Sequence, residues 1–197
     1  YVNCTGGQDE LIFDGASFVS DGQGTIGLRL TAFDEEFAVF ETAHSYEAVA
    51  VLEETPESEL YKALTLAVGD YVRKSGFTDV VLGLSGGIDS AVVAAVAVKA
   101  LGAEHVHAVM MPTRFTADLS VTEARKLASN LGIHYVVRPI EPLFAAFVSE
   151  LSADFKDRKP DVTEENLQAR IRGVLLMAYS NKPGDYKALN TLSKAKL

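Results

Sequence analysis

A pair of glycines, placed directly after a short apolar strand and directly before a helix, constrains this chain more than any other feature. Residues 79–84 are predicted to form a buried strand, residues 85–90 read Ser-Gly-Gly-Ile-Asp-Ser, and an Ala/Val-rich helix is predicted over 88–101. Consecutive glycines let the backbone turn tightly and approach a ligand closely. The first N–H groups of a helix have no intrahelical partner, and together with the helix dipole they favour an anion. The segment Ser85–Ser90 therefore predicts a phosphate-binding loop.

The polar residues of this loop suggest how a phosphate ligand would be held. Ser85 and Ser90 offer hydroxyl groups to phosphate oxygens. Asp89 would repel phosphate unless it held a divalent cation, so it is the predicted Mg²⁺ ligand. Two other phosphate loops are excluded, because the spacing is not GxGxxG and the loop lacks the Lys-Ser/Thr ending of a Walker motif. From the residues alone, a plain capped turn between strand and helix remains an alternative.

The segment from about residue 56 onward alternates helices and strands. Thr55 and Pro56 begin a predicted helix that ends near Gly76. The strands are continuous apolar runs, as expected for a parallel sheet covered on both faces. This region is therefore predicted to be an α/β domain with a doubly wound parallel sheet. The further predicted strands cover 105–111 and 133–140, and the further predicted helices cover 120–130, 142–153 and 161–181, the first opened by a capping box at Ser120–Glu123.

Residues 1–52 are strand-like and differ from the rest of the chain. Residues 17–30 predict a β-hairpin turning at 21–24, and Phe37–Phe40 are a further strand candidate. About 50 residues of hairpins with few large apolar side chains make a poor independent core. This segment is therefore predicted to complete another part of a larger structure.

Composition excludes several classes of function. The chain has 197 residues, a formal net charge of −9, 48% hydrophobic and 23% charged residues, which is typical of a globular protein. A nucleic-acid partner is not expected, because no Lys/Arg stripe is present. No apolar run approaches the ~18 residues of a membrane span. The single cysteine, Cys4, allows no internal disulfide and favours a reducing, cytoplasmic location.

His105 and His107 share one face of a predicted strand, a spacing that can bind a metal ion. Without a third ligand they are interpreted as ordinary strand residues.

The motif SGGIDS after the first predicted strand resembles the SGGxDS signature of the PP-loop ATP-pyrophosphatases. The resemblance implies an adenine nucleotide alpha hydrolase-like fold and cleavage of ATP between the α and β phosphates, with formation of an acyl-adenylate. It also implies that Asp89 holds Mg²⁺ and that the ATP-binding residues are Gly83, Leu84, Ser85, Gly86, Gly87, Ile88, Asp89 and Ser90.

A second motif, ENLQARIRG at 165–173, lies on the predicted helix 161–181. Asn166, Arg170 and Gly173 share a stripe of that helix with Met177, and taken alone the two polar side chains could be ordinary solvated residues. The predicted apolar face comprises Leu167, Ile171, Val174 and Ala178. At this distance from SGGIDS, the motif resembles the glutamine-dependent NAD⁺ synthetases. That resemblance implies that Asn166, and with it Arg170 and Gln168, contact deamido-NAD⁺.

The same family resemblance extends to other parts of the chain. Residues 1–15 resemble the end of a nitrilase-type glutaminase domain, and residues 111–116 resemble the segment after the second strand, where backbone near Met111 is expected to contact adenine. The implied domains are a glutaminase remnant with linker at 1–54 and a synthetase domain at 55–197, incomplete at its C-terminal side. The Glu, Lys and Cys of the glutaminase are expected upstream, and Cys4 is not that nucleophile by position. Asp185–Thr191 do not match the family's TTGNKSE-like stretch, so segments are expected to be missing there.

The activity implied by the resemblance is amidation of deamido-NAD⁺ to NAD⁺. ATP would be cleaved to AMP and pyrophosphate, ammonia would come from glutamine, and the protein would form a homo-oligomer. Two alternatives remain: another amidating PP-loop ligase, similar to GMP synthetase, and a non-catalytic nucleotide-binding module.

Overall fold

The computed structural model describes residues 1–42, 47–50, 54–156 and 158–182. Contacts divide the chain into two units, Tyr1–Phe77 and Thr78–Leu197. The first unit ends later than the predicted boundary at residue 54, because the helix that follows residue 55 packs on the N-terminal strands. The assignment of 1–54 and 55–197 to two family domains stays a prediction.

The described residues of the first unit form two β-hairpins and one long helix. The antiparallel hairpins are β1 (Thr5–Gln8) with β2 (Leu11–Asp14), and β3 (Phe18–Ser20) with β4 (Ile26–Arg29). The hairpin predicted over 17–30 is therefore confirmed. The Asp21 carboxylate closes its turn by accepting the N–H groups of Gln23 and Thr25. The strand predicted at Phe37–Phe40 is wrong: these residues pair with no described strand, and Phe37 is 88% exposed.

Helix α1 (Pro56–Lys74) begins and ends as the sequence predicts. The Thr55 side chain accepts a hydrogen bond from the Ser58 N–H, and Pro56 occupies the first turn, where its missing N–H costs nothing. Gly76 follows the helix with a φ of +77°. The Asp70 carboxylate joins α1 to β1 by accepting the Gly7 N–H at 2.9 Å, and the Lys74 ammonium bonds to both Asp70 and the Gly7 carbonyl.

Within its described residues, the second unit contains a three-stranded parallel sheet with helices on both faces. Its strands are β5 (Val80–Gly83), β6 (Val106–Met110) and β7 (His134–Val137), hydrogen-bonded in that order. The predicted α/β fold with a doubly wound parallel sheet is confirmed, since helices cover each side. The helices are α2 (Ile88–Leu101), α3 (Asp118–Leu131), α4 (Glu141–Glu150) and α5 (Val162–Asn181), with a short 3₁₀ turn at Ala103–His105.

The core of this unit follows the period-two alternation of the strands. On one face Val106, Ala108 and Met110 of β6 pack against small side chains of α2 and α3 such as Ala94 and Ala124. On the other face Val109 and Met111 pack with side chains of α4 and α5, including Phe144 and Ile171. All five residues of β6 are buried, as expected for the central strand.

Two predicted details of the helices are wrong. Ser120–Glu123 do not cap α3, because the helix begins at Asp118 and the Ser120 N–H donates to the Ala117 carbonyl within its first turn. The predicted apolar face of α5 is turned by about one residue: Val174 and Ala178 are exposed. Leu167 and Ile171 face the core as predicted, and they are joined there by Gln168, Leu175, Leu176 and Tyr179.

Among the described helices, none combines the length and the apolar character that a bilayer span requires.

Candidate functional site at the carboxyl end of the parallel sheet

The glycine loop leaves β5 at the carboxyl end of the sheet and turns directly into α2. Gly86 adopts a φ of +82°, and a Cβ atom there would lie 2.2 Å from the backbone oxygen of Ser120 on α3. A side chain at position 86 is thus excluded by both the backbone conformation and the neighbouring helix. Gly87 is the N-cap of α2 at a φ of −90°, and among the described residues no side chain makes a capping hydrogen bond there. The first N–H groups of α2 are therefore open to a ligand.

The two serines of the loop hold it in shape. Their hydroxyl oxygens lie 3.0 Å apart, and the Ser85 hydroxyl accepts the Gly87 N–H at 3.2 Å. The Ser90 hydroxyl also lies 3.0 Å from the Gly87 carbonyl and accepts the Ser85 N–H. Ser90 thus closes the loop onto the first turn of α2. Its hydroxyl is engaged by the loop itself, so a phosphate contact from Ser90 requires exchange of one of these bonds.

A cavity of about 360 Å³ opens beside this loop, over the carboxyl ends of β5 and β6. Three of the predicted ATP-binding residues, Gly83, Leu84 and Ser85, line it. Gly83 forms part of its floor, where an added Cβ would meet Met111 and Leu176 at 3.5 Å. The other lining residues are Val109, Met110, Met111, Thr116, Arg172 and Leu176. Gly86, Gly87, Ile88, Asp89 and Ser90 lie on the adjoining loop and helix and do not line it.

Asp89 lies in the first turn of α2 with its side chain exposed. It makes no hydrogen bond or ion pair with any residue that the structure describes. Within the described ranges, no group of three or more His, Cys, Asp or Glu side chains is arranged to hold a metal ion. An exposed single carboxylate beside a phosphate loop fits Mg²⁺, because this ion commonly takes one or two protein carboxylates together with substrate phosphates and water.

The ENLQARIRG motif divides between solvent and core. Asn166 and Arg170 are both exposed on α5, and neither lines the cavity. Gln168 is 8% exposed, and its side-chain oxygen accepts the Thr113 hydroxyl at 3.0 Å while its amide group donates to the Glu164 carbonyl. Gln168 is therefore hydrogen-bonded within the fold and links α5 to the segment that follows β6.

Arg172 belongs to the same motif but is not among the site residues that the sequence predicts. Its side chain is half-buried, and its Nε–H donates to the Met111 carbonyl at 3.2 Å. Burial lowers the pKa of the Arg172 guanidinium from its ordinary value. Within the described ranges, no carboxylate lies at ion-pairing distance from it. The sequence pattern could not reveal it, because Gln168, four residues earlier on the same face of α5, was itself not predictable as buried.

Arg172 also lines a second cavity of about 500 Å³ and therefore borders both cavities. Its remaining lining comprises Phe115, Pro160, Asp161, Glu164, Glu165 and Gln168. Asp161 and Glu164 form the capping box of α5, in which each side chain accepts a backbone N–H of the first turn. These two carboxylates are thus already engaged at the helix N-terminus.

The segment after β6 is fixed to the start of α4. The Arg114 guanidinium pairs with the Glu141 carboxylate, which also accepts the Arg114 N–H at 3.0 Å. This pair lowers the pKa of Glu141 and raises that of Arg114. Met111 and Thr116, at the two ends of this segment, are thereby held at the cavity wall. A contact between this backbone and adenine stays a prediction.

The histidines at the opposite, amino end of the sheet serve a different arrangement. His107 is buried, and its Nε2 lies 2.9 Å from Oδ1 of Asp79; His105 Nδ1 lies 3.5 Å from the same oxygen. The ring of His107 stacks on that of His134. Burial works to raise the pKa of Asp79, but hydrogen bonds from Thr78 and His107 outweigh it and the pKa is lowered. The histidines thus contribute to a hydrogen-bonded cluster at the start of the strands.

The chain is similar to known NAD synthetases in both sequence and structure. The family model described as NAD synthase matches residues 60–193. Glutamine-dependent NAD(+) synthetases from Acinetobacter baylyi and Synechocystis are 42% and 45% identical over 100% of this chain. The solved glutamine-dependent NAD⁺ synthetase from Acinetobacter baumannii, in complex with ADP, is 44% identical with a TM-score of 0.82 over 93% of this chain and 36% of that one.

These relatives are much longer than the chain described here. It spans 37% of the length of the Acinetobacter baylyi protein and 36% of that from Synechocystis.

Proposed function

This chain belongs to the NAD synthase family, and from that premise we propose that it forms part of a ligase that amidates deamido-NAD⁺ to NAD⁺ at the expense of ATP. The observation that carries the proposal is the glycine loop: open N–H groups at the start of α2 adjoin a cavity of about 360 Å³ over the strand ends. Ligands of open α/β sheets bind at this edge. The ADP found in the Acinetobacter baumannii relative supports a nucleotide as the ligand.

In the proposed complex ATP lies with its terminal phosphates on Ser85–Ser90 and its base toward Met111. The ATP-binding set is Gly83, Leu84, Ser85, Gly86, Gly87, Ile88, Asp89 and Ser90. Backbone N–H groups and the positive end of α2 supply the main attraction for phosphate. Gly86 allows this because its backbone can lie against α3 where a side chain could not.

Asp89 is the proposed Mg²⁺ ligand. When bound there, the ion would neutralise charge on the phosphates, as is usual at sites of this type. The exposed carboxylate, without a described protein partner, leaves its oxygens available for that role.

The proposed chemistry has two steps. A carboxylate oxygen of deamido-NAD⁺ attacks the α-phosphorus of ATP, the bond to the β-phosphate oxygen breaks, and pyrophosphate leaves. Ammonia then attacks the adenylated carboxyl carbon and AMP leaves, giving the amide. The protein's residues contribute by orienting the two substrates and stabilising charge rather than by covalent catalysis.

Asn166 and Arg170 are the proposed contacts for deamido-NAD⁺. Both side chains are exposed on α5, so they can reach a ligand outside the fold core. The release of ammonia from glutamine, a homo-oligomeric assembly and a cytoplasmic location are further parts of the proposal, as is the identification of 1–54 with a nitrilase-like glutaminase remnant. The unmatched segment Asp185–Thr191 lies outside the described residues.

The experiment that tests the function uses the full-length protein with ATP, Mg²⁺ and ammonia or glutamine. We expect NAD⁺, AMP and pyrophosphate to form in equal amounts with deamido-NAD⁺ as acceptor, and no amide to form with XMP. Amidation of XMP instead would identify a ligase similar to GMP synthetase. Binding of ATP in a calorimetric titration without any turnover would favour a nucleotide-binding module.

A further inference from the structure

Arg172 is the only charged residue among the described residues that line the cavity beside the glycine loop. Its position is set by the fold: Leu176, one turn later on α5, packs toward Gly83, and the Arg172 Nε–H bonds to the Met111 carbonyl at the end of β6. The guanidinium is therefore held at the cavity wall rather than extending freely into solvent.

The guanidinium carries more hydrogen-bonding capacity than the described residues use. Of its five N–H donors, the Nε–H is bonded, and the four terminal N–H groups make no hydrogen bond to any residue in the described ranges. A half-buried cation without a nearby carboxylate is costly unless an anion reaches it. This side chain also borders both cavities, where two ligands could meet.

On the proposed function, the geometry points to Arg172 as the residue that binds the α-phosphate of ATP. The β and γ phosphates lie on the loop in that function, so the α-phosphate is the one anionic group of ATP left for the rest of the cavity. The α-phosphorus is also the atom that the substrate carboxylate attacks. As the carboxylate oxygen bonds to phosphorus and the bond to pyrophosphate breaks, Arg172 stabilises the charge on the α-phosphate oxygens and offsets the repulsion between two anions.

The test separates the two halves of ATP by using AMP, which carries only the α-phosphate, and pyrophosphate, which carries only the other two. Each is titrated calorimetrically into the full-length protein with Mg²⁺, as wild type, Arg172→Met and Arg172→Lys. We expect Arg172→Met to weaken AMP binding by roughly tenfold to a hundredfold, the usual effect of losing a hydrogen bond to a charged group. Pyrophosphate binding should stay within twofold, and Arg172→Lys should recover part of the AMP affinity by restoring the charge.

Arg125→Met on α3 is the matched control, because it removes an exposed arginine that lines neither cavity. It should bind both ligands as the wild type does. Unchanged AMP binding in Arg172→Met would overturn the inference, and so would an equal loss for AMP and pyrophosphate, which indicates a structural role at Met111. If the wild type binds neither AMP nor pyrophosphate, the proposed function on which the inference rests is refuted instead.

Discussion

Two aspartates at opposite ends of strand β5 show how differently the same side chain can be used. Asp79 precedes the strand, accepts the Thr78 hydroxyl at 2.6 Å and lies 2.9 Å from His107 Nε2. Asp89 follows the strand in the first turn of α2, exposed and without a hydrogen-bond partner among the described residues. A carboxylate satisfied within the fold contributes to stability, whereas one kept in solvent beside open N–H donors is available to a ligand.

The largest effect expected from this comparison is that of Asp89→Ala on activity. Loss of the proposed Mg²⁺ ligand should reduce ATP-dependent amidation by roughly 10²- to 10³-fold, similar to removal of one charge-stabilising group from other active sites. The free energy of unfolding should change by less than about 1 kcal/mol, since only a favourable interaction with the helix dipole is lost. Steady-state assays of NAD⁺ formation and urea unfolding measure the two effects. Pyrophosphate release near the wild-type rate would contradict the assignment.

Substitution of the two adjacent glycines tests whether the loop at the carboxyl end of the sheet depends on its close approach to α3. Gly86→Ala places a Cβ 2.2 Å from the Ser120 oxygen at a φ of +82°, so we expect a loss of about 3 kcal/mol or more in the free energy of unfolding. Gly87→Ala is the matched control, because its φ is −90° and the nearest atom is the flexible Ser85 hydroxyl at 3.4 Å. Thermal unfolding of both variants measures the difference. Equal stability of the two would show that the approach to α3 does not constrain the loop.

Asp70 extends the comparison to the first unit, where another carboxylate is satisfied within the fold. Hydrogen bonds from Lys74 and from the Gly7 N–H lower its pKa from 3.8 to about 2. Because the folded pKa lies below the unfolded one, this stabilisation is present above pH 4 and is lost as the pH falls through about 2. A shift of this size corresponds to roughly 2 kcal/mol at pH 7.

Asp70→Asn should therefore unfold more easily in urea at pH 7, and its difference from the wild type should shrink between pH 4 and pH 2. Glu59→Gln on the same helix is the control, since Glu59 is exposed and should show little change. A difference that stayed constant with pH would mean that the ionised carboxylate is not the stabilising form.

The sequence predicted those parts of the molecule whose signals are local. Helix α2 spans Ile88–Leu101 as expected, because Gly87 and Gly102 mark its two ends and neither depends on distant residues. The loop and its position after β5 were predictable for the same reason. The extent of the parallel sheet also followed from apolar runs, within one to three residues at each strand end.

Features that depend on tertiary partners were not predictable in this way. Apolar periodicity placed Val174 on the buried face of α5, but Gln168 is buried there because the Thr113 hydroxyl, 55 residues away, satisfies its side chain. The same rotation of the helix brings Arg172 to the cavity and leaves Asn166 in solvent. A pattern that counts polar side chains as exposed cannot find a buried glutamine or a half-buried arginine.

Asp79→Ala has the smallest expected effect. It should lower stability with little change in activity, whereas Asp89→Ala should lower activity with little change in stability. Removing this carboxylate takes hydrogen bonds from Thr78 and His107, so we expect a loss of about 1 kcal/mol at pH 7 while amidation stays within twofold of the wild type. The pKa of Asp79 is lowered in the fold, so its contribution is present above the ordinary aspartate pKa and is lost as the pH falls below it. Urea unfolding at pH 7 and pH 3 should show the difference from the wild type decreasing. A loss of activity as large as that of Asp89→Ala would mean that the amino end of the sheet also takes part in the reaction, and that a satisfied carboxylate does not identify a structural site.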